Sequence, residues 1–367
     1  MKITHLESQN IRIPLRDPKI ISTRKILSQD YTIVKIRTED GVEGWSFVWG
    51  IPVVNNVLEM FRDLVIGESA GSTIHIWNKV FARIKGWDRS GIAMRAISLI
   101  DIALWDIIGK YAKQPIYRLL GGFRDECPVY YSSGYYPQSC TTKQDLLRYL
   151  EKDIGGAVDR GFNAFKIKIG AAAVDDDIER IGIVRGIIGP KAQLMLDANC
   201  FYDPETIIAM SKKFEKYDIT WLEEPIEVDD LPNCAYVARH ISMPVAMGEN
   251  HFTRWQVREL IEHKCCRYIQ ADPTVMGGFT EYLNVVGAAA MYGIKLSPHC
   301  FHDINVQIGL ARPEIYMLEY MDAASDIFNI QEIMENPVIA KNGMVRAPEG
   351  HGHGLIIDET SYKKYIS

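Results

Sequence analysis

The chain has 367 residues, enough for one large domain or two moderate ones; 47% of the residues are hydrophobic and 24% are charged. These values fit a globular chain with a large core and exclude a disordered or collagen-like chain. Lys and Arg number 41 against 47 Asp and Glu, so the net charge is -6 and nucleic acid is not an expected partner. The N-terminus lacks the pattern of a signal peptide, and no apolar run approaches the ~18 residues of a membrane span. We therefore expect a soluble, cytoplasmic protein with no membrane partner.

Residues 1–125 mix strand and helix patterns, and we expect them to form a first domain. Residues 1–15 alternate as an edge strand does, and residues 31–50 have the pattern of a β-hairpin. The polar stretch between them, residues 16–30, is predicted to be a long loop. Over residues 90–110, apolar side chains recur at three-and-four spacing, which predicts an amphipathic helix.

A repeating pattern begins near residue 127. Short apolar runs each end in polar residues and are followed by a helical pattern. The eight runs are residues 129–133, 164–169, 194–199, 220–225, 245–250, 268–273, 294–299 and 316–320. A step of about 25 residues is the length that a strand, a helix and two short loops need. We therefore predict a (β/α) barrel over residues 126–322, with a turn-rich segment, 323–367, that packs back on the first domain. A doubly wound sheet would have similar spacing, but polar strand ends that share one chemistry favour a closed barrel.

Two lysines share one face of a predicted core strand. Lys166 and Lys168 alternate with Phe165 and Ile167, so both ammonium groups should point into the barrel mouth, the face formed by the carboxyl ends of the strands. Their mutual repulsion is expected to lower the pKa of one lysine toward that of a useful base.

Carboxylates end three consecutive predicted strands. They are Asp197, one of the pair Glu223 and Glu224, and Glu249. Three converging anions need a counter-ion, and oxygen donors without His or Cys favour Mg²⁺ over zinc.

The far side of the predicted barrel carries Asp272 and His299 on neighbouring strands. A carboxylate beside an imidazole fixes its tautomer and raises its basicity, so the two form a plausible acid–base pair. Glu319 ends the last strand and completes the circle.

Eight sequence motifs together resemble the mandelate racemase subgroup of the enolase superfamily, over nearly the whole chain. They are AISLIDIALWDIIGK at 96–110, KIK at 166–168, DAN at 197–199, EEP at 223–225, GEN at 248–250, ADP at 271–273, SPH at 297–299 and LEY at 318–320. The resemblance implies a (β/α)₇β barrel with an N-terminal α+β capping domain completed by the C-terminal segment. It also implies a homo-oligomer, an octamer or smaller.

The resemblance also assigns roles to individual residues. It places Mg²⁺ on three carboxylates: Asp197, Glu223 and Glu249. It implies two bases, which are Lys168 and the His299–Asp272 pair. It implies contacts with the substrate carboxylate from Lys166 and Glu319, with Asn199 beside the metal.

The reaction expected of such a site is removal of the proton α to a carboxylate. With a leaving β-hydroxyl the enzyme is a dehydratase of an acid sugar, and with proton return it is a racemase or epimerase of a 2-hydroxy acid. The polar residues of segment 14–27, among them Arg24 as a candidate substrate contact, favour a polyhydroxy acid or diacid. A non-catalytic sugar-acid binding barrel is a further alternative. A metal-dependent hydrolase is less favoured, because such barrels use histidine ligands that no strand end here supplies.

Overall fold

An antiparallel sheet opens the fold in the computed structural model, which describes residues 1–366. Its strands are β1 (Ile3–Ile20), β2 (Lys25–Thr38) and β3 (Glu43–Trp49), in the order β3-β2-β1. Alternate side chains such as Ile11, Ile33 and Phe47 are buried, as the period of two in a half-buried strand requires. The predicted hairpin of residues 31–50 is thus confirmed as β2 and β3.

Residues 16–30 are strand and not the predicted loop. β1 and β2 continue their pairing to Ile20 opposite Lys25, with a turn at residues 21–24, after a shift of register between Pro14 and Lys19. Prolines donate no ladder hydrogen bond, and the tip of this hairpin has no apolar alternation. Both features make a strand look like a loop in the sequence.

Four helices follow; the first and the third pack on this sheet, and the other two pack on neighbouring helices. They are α1 (Val53–Val65), α2 (Thr73–Ile84), α3 (Ile92–Ala112) and α4 (Ile116–Leu119). The predicted helix over residues 90–110 is confirmed as α3. It lies so close to β3 that a Cβ atom at Gly44 would meet the carbonyl oxygen of Ala103 at 2.2 Å, so only glycine fits there.

A ring of parallel strands forms the rest of the core. The strands of the second half of the chain are β4 (Cys127–Ser133), β5 (Tyr136–Pro137), β6 (Ala164–Lys168), β7 (Gln193–Asp197), β8 (Ile219–Glu223), β9 (Val245–Met247), β10 (Tyr268–Ile269), β11 (Lys295–Leu296) and β12 (Leu318–Tyr320). All but β5, which pairs with the tip of β1, join in the order β11-β10-β9-β8-β7-β6-β4-β12. Leu296 on β11 bridges in parallel to Ile315, just before β12. This bridge closes the ring, and the predicted barrel fold is confirmed.

Helices connect the barrel strands, as βα units require. They are α5 (Lys143–Asp159), α6 (Val174–Ile188), α7 (Pro204–Phe214), α8 (Leu231–His240), α9 (Arg254–Glu262), α10 (Gly278–Tyr292) and α11 (His302–Ala311). Short 3₁₀ helices lie at Glu215–Tyr217, Ala323–Ser325 and Ile330–Ile333. In residues 1–366 we find no helix with the length and apolar character that a bilayer crossing demands.

The C-terminal segment contacts both parts of the fold. β13 (Met344–Val345) pairs with the start of β4, and α12 (Glu359–Lys364) packs near the 3₁₀ helix Ile330–Ile333. His353 is buried edge-on against Trp45 of the first sheet. The segment therefore lies against the N-terminal sheet and the base of the barrel.

Side chains of helix α3 in the first domain accept hydrogen bonds from the backbone at the beginning of α10 in the barrel. A carboxylate oxygen of Asp101 accepts the backbone N–H of Thr280 at 3.0 Å, and the Ser98 hydroxyl accepts that of Gly277 at 2.7 Å. A Cβ atom at Gly278 would lie 2.2 Å from the Asp101 carboxylate. The Gly277–Gly278 pair therefore allows the close approach of the two domains.

Asp101 should make the stability of the protein depend on pH. Burial, opposed by the side chain and the backbone N–H of Thr280, raises the pKa of Asp101 to about 7. A buried acid with a raised pKa stabilises the folded state at low pH, and that stability is lost as pH rises through about 7. At ~1.36 kcal/mol per pKa unit the expected loss between about pH 4 and pH 7 is roughly 4 kcal/mol.

The matched variant is Asp101→Asn, which keeps an acceptor for Thr280 but cannot ionise. Urea unfolding of both proteins at pH 5 and pH 7.5 should show a smaller loss of stability in the variant. Parallel losses in the two proteins would contradict the assignment.

Candidate active site

Neighbouring strands bring the predicted charged residues to the barrel mouth in register. Lys168 on β6 lies opposite Asp197 on β7, which lies opposite Glu223 on β8. Glu223 lies opposite Ala246 on β9, and Glu249 follows three residues later. A row of carboxylates therefore crosses one side of the mouth.

Three of these carboxylates could hold a metal ion. Asp197, Glu223 and Glu249 each offer an oxygen atom, and the three atoms lie within 4.8 Å of one another. Asp197 and Glu223 are fully buried, and a buried oxygen of Glu249 has no hydrogen-bond partner among residues 1–366. Three hard oxygen donors, one of them on a carboxylate with an unsatisfied oxygen, fit the requirements of Mg²⁺.

Both oxygens of Glu223 are engaged inside the barrel. One accepts Lys166 at 2.5 Å, and the other accepts Gln270 at 2.6 Å and the indole of Trp221 at 3.1 Å. These donors hold the carboxylate in one orientation toward its two neighbours.

Glu224 is turned away from this row. Its backbone has a left-handed φ of 36°, and its side chain accepts Asn250 at 2.8 Å and Cys200 at 3.2 Å. The alternation of β8 ends at Glu223. The sequence alone did not decide between the two glutamates, and in the structure it is Glu223 that faces Asp197 and Glu249.

Both predicted lysines point into the mouth and are buried. The Lys168 ammonium donates to Asp197, and Lys166 contacts Glu319 at 2.7 Å and Asp197 at 3.4 Å. Burial lowers the pKa of Lys168, as does the neighbouring Lys166, but Asp197, Tyr135 and Glu249 together outweigh both and raise it above its usual range. The expected fall in lysine pKa is therefore wrong for this charge arrangement, because carboxylates outnumber lysines.

The imidazole of His299 lies at the other end of the carboxylate row. Its Nε2 is 3.3 Å from Glu249 and 3.8 Å from Glu319, and its Nδ1 is 3.7 Å from Asp272. Burial opposes its charged form, but the carboxylates of Glu249, Asp272 and Glu319 together outweigh burial and raise the pKa of His299 to about 9. The predicted Asp272–His299 pair is thus brought together.

The remaining predicted contacts fall in two places. Asn199 lies beside Asp197, whose carboxylate accepts the Asn199 backbone N–H at 2.9 Å. Arg24 lies at the exposed turn between β1 and β2, and within residues 1–366 no hydrogen bond or ion pair joins it to the other predicted site residues. The same turn does reach the mouth, because the Ser22 hydroxyl donates to the Ala198 carbonyl at 2.8 Å.

Three residues near the site were not predicted. Gln270, which binds Glu223, lies two residues before Asp272 and so shares its face, a spacing that could have revealed it. The ring of Trp49 is centred 5.6 Å from that of His299, and Arg95 donates to the Trp49 carbonyl at 3.3 Å. These two come from the capping domain, where no local pattern marks proximity to the barrel.

Comparison with known families matches both parts of the chain. Residues 4–121 match the mandelate racemase/muconate lactonizing enzyme N-terminal domain, and residues 150–361 match the enolase C-terminal domain-like family. The chain belongs to the mandelate racemase/muconate lactonizing enzyme family of the enolase superfamily. The resemblance stated from the eight motifs is confirmed.

Several known proteins are similar to this chain over nearly its whole length. An arabinonate dehydratase of Saccharolobus solfataricus is 31% identical over 90% of this chain and 89% of its own. An L-talarate/galactarate dehydratase of Salmonella typhimurium is 30% identical over 94% of this chain and 85% of its own. The crystal structure of a racemase from Streptomyces coelicolor with bound magnesium superposes with a TM-score of 0.92, at 26% identity, with full coverage of both chains. The expectation of a family enzyme of the lyase type is confirmed, and racemases are also among its structural neighbours.

Proposed function

We propose that this protein dehydrates an acid sugar by removing the proton α to its carboxylate. One observation carries the proposal: Lys168 contacts Asp197 at one end of the carboxylate row, and His299 contacts Glu249 at the other. A substrate carboxylate bound at this row has an amine on one side of its α-carbon and an imidazole on the other.

Two proton transfers remove water from the substrate. One of Lys168 and His299 takes the α-proton, and the electron pair left behind moves into the carboxylate to give an enediolate. The β-hydroxyl then leaves as water with a proton from the other group, which leaves an enol. The enol becomes a 2-keto-3-deoxy acid when C3 gains a proton and the enol hydroxyl gives one up. Asp272 orients the imidazole, as a carboxylate partner of histidine does.

Other residues of the chain stabilise the anion that forms. Asp197, Glu223 and Glu249 would hold Mg²⁺, which when bound withdraws charge from the substrate carboxylate. Lys166, fixed between Glu223 and Glu319, is a buried cation at the same place. A positive charge that is already in place where an anion develops lowers the activation free energy. Each decrease of about 1.36 kcal/mol in that free energy increases the rate tenfold.

The experiment is a screen of acid sugars with Mg²⁺ in deuterium oxide. The expected result is a 2-keto-3-deoxy acid from at least one substrate, detected as its semicarbazone. Exchange of the α-proton with inversion and no loss of water would establish the racemase or epimerase instead. Tight binding of an acid sugar with neither exchange nor product would show a binding protein and overturn the proposal.

A further inference from the structure

The chain turns sharply directly after His299. Cys300 and Phe301 both have left-handed backbone angles, with φ of 48° and 30°, although neither is glycine. Residues with a Cβ atom adopt this conformation at a cost, so contacts from the surrounding structure must hold the turn. The position of the His299 imidazole therefore depends on the contacts of the two residues that follow it.

One buried amide reaches this turn from helix α11. The side-chain nitrogen of Asn305, a fully buried residue, donates to the carbonyl oxygen of His299 at 3.1 Å and to that of Cys300 at 3.2 Å. The same nitrogen donates to Oδ1 of Asp272 at 3.3 Å. A single atom thus joins the backbone of the turn to the carboxylate that orients the imidazole.

The three partners of this nitrogen fix the direction of the amide. All three are acceptors, so a reversed amide would place its own oxygen against two carbonyl oxygens and a carboxylate. The oxygen of Asn305 is buried and has no hydrogen-bond partner among residues 1–366. A buried polar atom without a partner is costly, and an apolar side chain of the same size would fill this space without that cost. The hydrogen bonds of the nitrogen therefore account for an amide at this position.

Other contacts complete the same network. The backbone N–H of Cys300 donates to Glu319 at 2.8 Å, and that of Thr274 donates to Oδ1 of Asp272 at 2.8 Å. Oδ2 of Asp272 is left to face Nδ1 of His299 at 3.7 Å. Both members of the Asp272–His299 pair are thus held from behind, and Asn305 is the side chain that contacts both.

We propose that Asn305 is a positioning residue that aligns the Asp272–His299 pair for proton transfer. The proposal rests on the proposed function, in which His299 takes or gives a proton. Asn305 acts through the backbone of His299 and through the Asp272 carboxylate. Its removal should therefore disturb the chemical step and leave the binding of substrate and metal intact.

Asn305→Leu keeps the size of the side chain and removes the N–H donor. We expect kcat to fall by about tenfold to 100-fold, since a catalytic group displaced by about 1 Å can cost 10²-fold in rate. KM should stay within about threefold of the wild-type value. The Mg²⁺ affinity, measured by calorimetry without substrate, should be unchanged, because Asn305 contacts none of the three proposed metal ligands.

Two further variants keep the test decisive. Asn305→Ala leaves space for water beside the three acceptors, so it should fold even if the leucine variant does not, and its kcat should also fall. In the Asp272→Asn background, Asn305→Leu should lower kcat by a smaller factor than in the wild-type protein, because part of its effect acts through Asp272. Fully additive losses would contradict this coupling.

Gln307, two residues further along α11, supplies the matched control. It is also a buried amide, but it donates to the carbonyl of His353 at 3.1 Å and accepts the backbone N–H of Tyr117 at 3.0 Å, outside the predicted site. Gln307→Met should lower the melting temperature, as Asn305→Leu does, because each change leaves buried polar groups unpaired. Its kcat should stay within about twofold of the wild-type value.

The outcomes distinguish this inference from the proposed function. Wild-type kcat in both Asn305 variants, or an equal fall in kcat for Gln307→Met, would overturn the positioning role while the proposed function stands. If the wild-type enzyme exchanges the α-proton without loss of water, the dehydratase is wrong, and a fall in exchange rate confined to the Asn305 variants still supports the positioning role. If the wild-type protein neither dehydrates an acid sugar nor exchanges its α-proton, both proposals fail.

Discussion

Replacing Lys168 with alanine is expected to lower kcat by about 10²- to 10⁴-fold, the usual contribution of a positioned acid or base. His299→Asn should have an effect of the same size, because the two groups act on one reaction from opposite ends of the carboxylate row. Neither change removes a proposed metal ligand, so Mg²⁺ affinity and the circular dichroism spectrum should stay close to those of the wild-type protein. Near wild-type turnover in both variants would contradict the two-base mechanism.

The two variants should also differ in a way that identifies the base that takes the α-proton. A variant that lacks only the group that protonates the leaving hydroxyl can still exchange the α-proton with deuterium from solvent. Proton NMR of the substrate would show this exchange in one variant and not in the other. The exchanging variant retains the abstracting base.

Asp272→Asn should lose less activity than His299→Asn. Asp272 lies 3.7 Å from Nδ1 of His299 and acts through it, so its removal disorders the imidazole without deleting it. The pH–rate profile should then shift in the variant, which a purely structural role for Asp272 would not produce. An unchanged profile would argue against a positioning role.

The barrel and most of the site could be predicted from local sequence patterns. Strand alternation places Lys166 and Lys168 on one face. The step of about 25 residues assigns four acidic positions to consecutive strand ends: Asp197, one of Glu223 and Glu224, Glu249 and Asp272. These patterns extend over only a few tens of residues along the chain. Closure of the barrel brings the residues at the strand ends close together in space.

The residues that the capping domain places near the active site could not be predicted in the same way. Arg95 is one polar residue in the first turn of an apolar helix, and only the packing of α3 against the barrel brings it near Asp272. The prediction of a loop at the tip of the first hairpin was wrong for a related reason. Its strands are stabilised by pairing with each other and with β5, while their side chains carry no alternation.

Glu224 illustrates a choice that the residues alone left open. Two adjacent glutamates are equivalent in a metal-binding pattern until the last residue of the strand is known. β8 ends at Glu223, and the left-handed backbone of Glu224 sends its side chain to Asn250 and Cys200. This pair therefore supplies a matched comparison for the metal site.

Glu223→Gln is expected to weaken Mg²⁺ binding by ~100-fold or more, because it removes a charged ligand from a site that prefers hard anionic oxygen. Asp197→Asn and Glu249→Gln should weaken it similarly, and turnover should be lost in all three, as it should after treatment of the wild-type enzyme with a chelator. Glu224→Gln, one residue away, should change the affinity far less. Isothermal titration calorimetry with Mg²⁺ alone measures these affinities without a substrate.

The melting temperature gives an independent measurement of the same site. An ion that binds only the folded chain stabilises it in proportion to the logarithm of its concentration over Kd. Added Mg²⁺ should therefore raise the melting temperature of the wild-type protein and of Glu224→Gln, but not that of Glu223→Gln. Equal increases in all three proteins would place the ion elsewhere. In that case the buried, unpartnered oxygen of Glu249 would require another cation, and the nearest one in the fold is the imidazolium of His299.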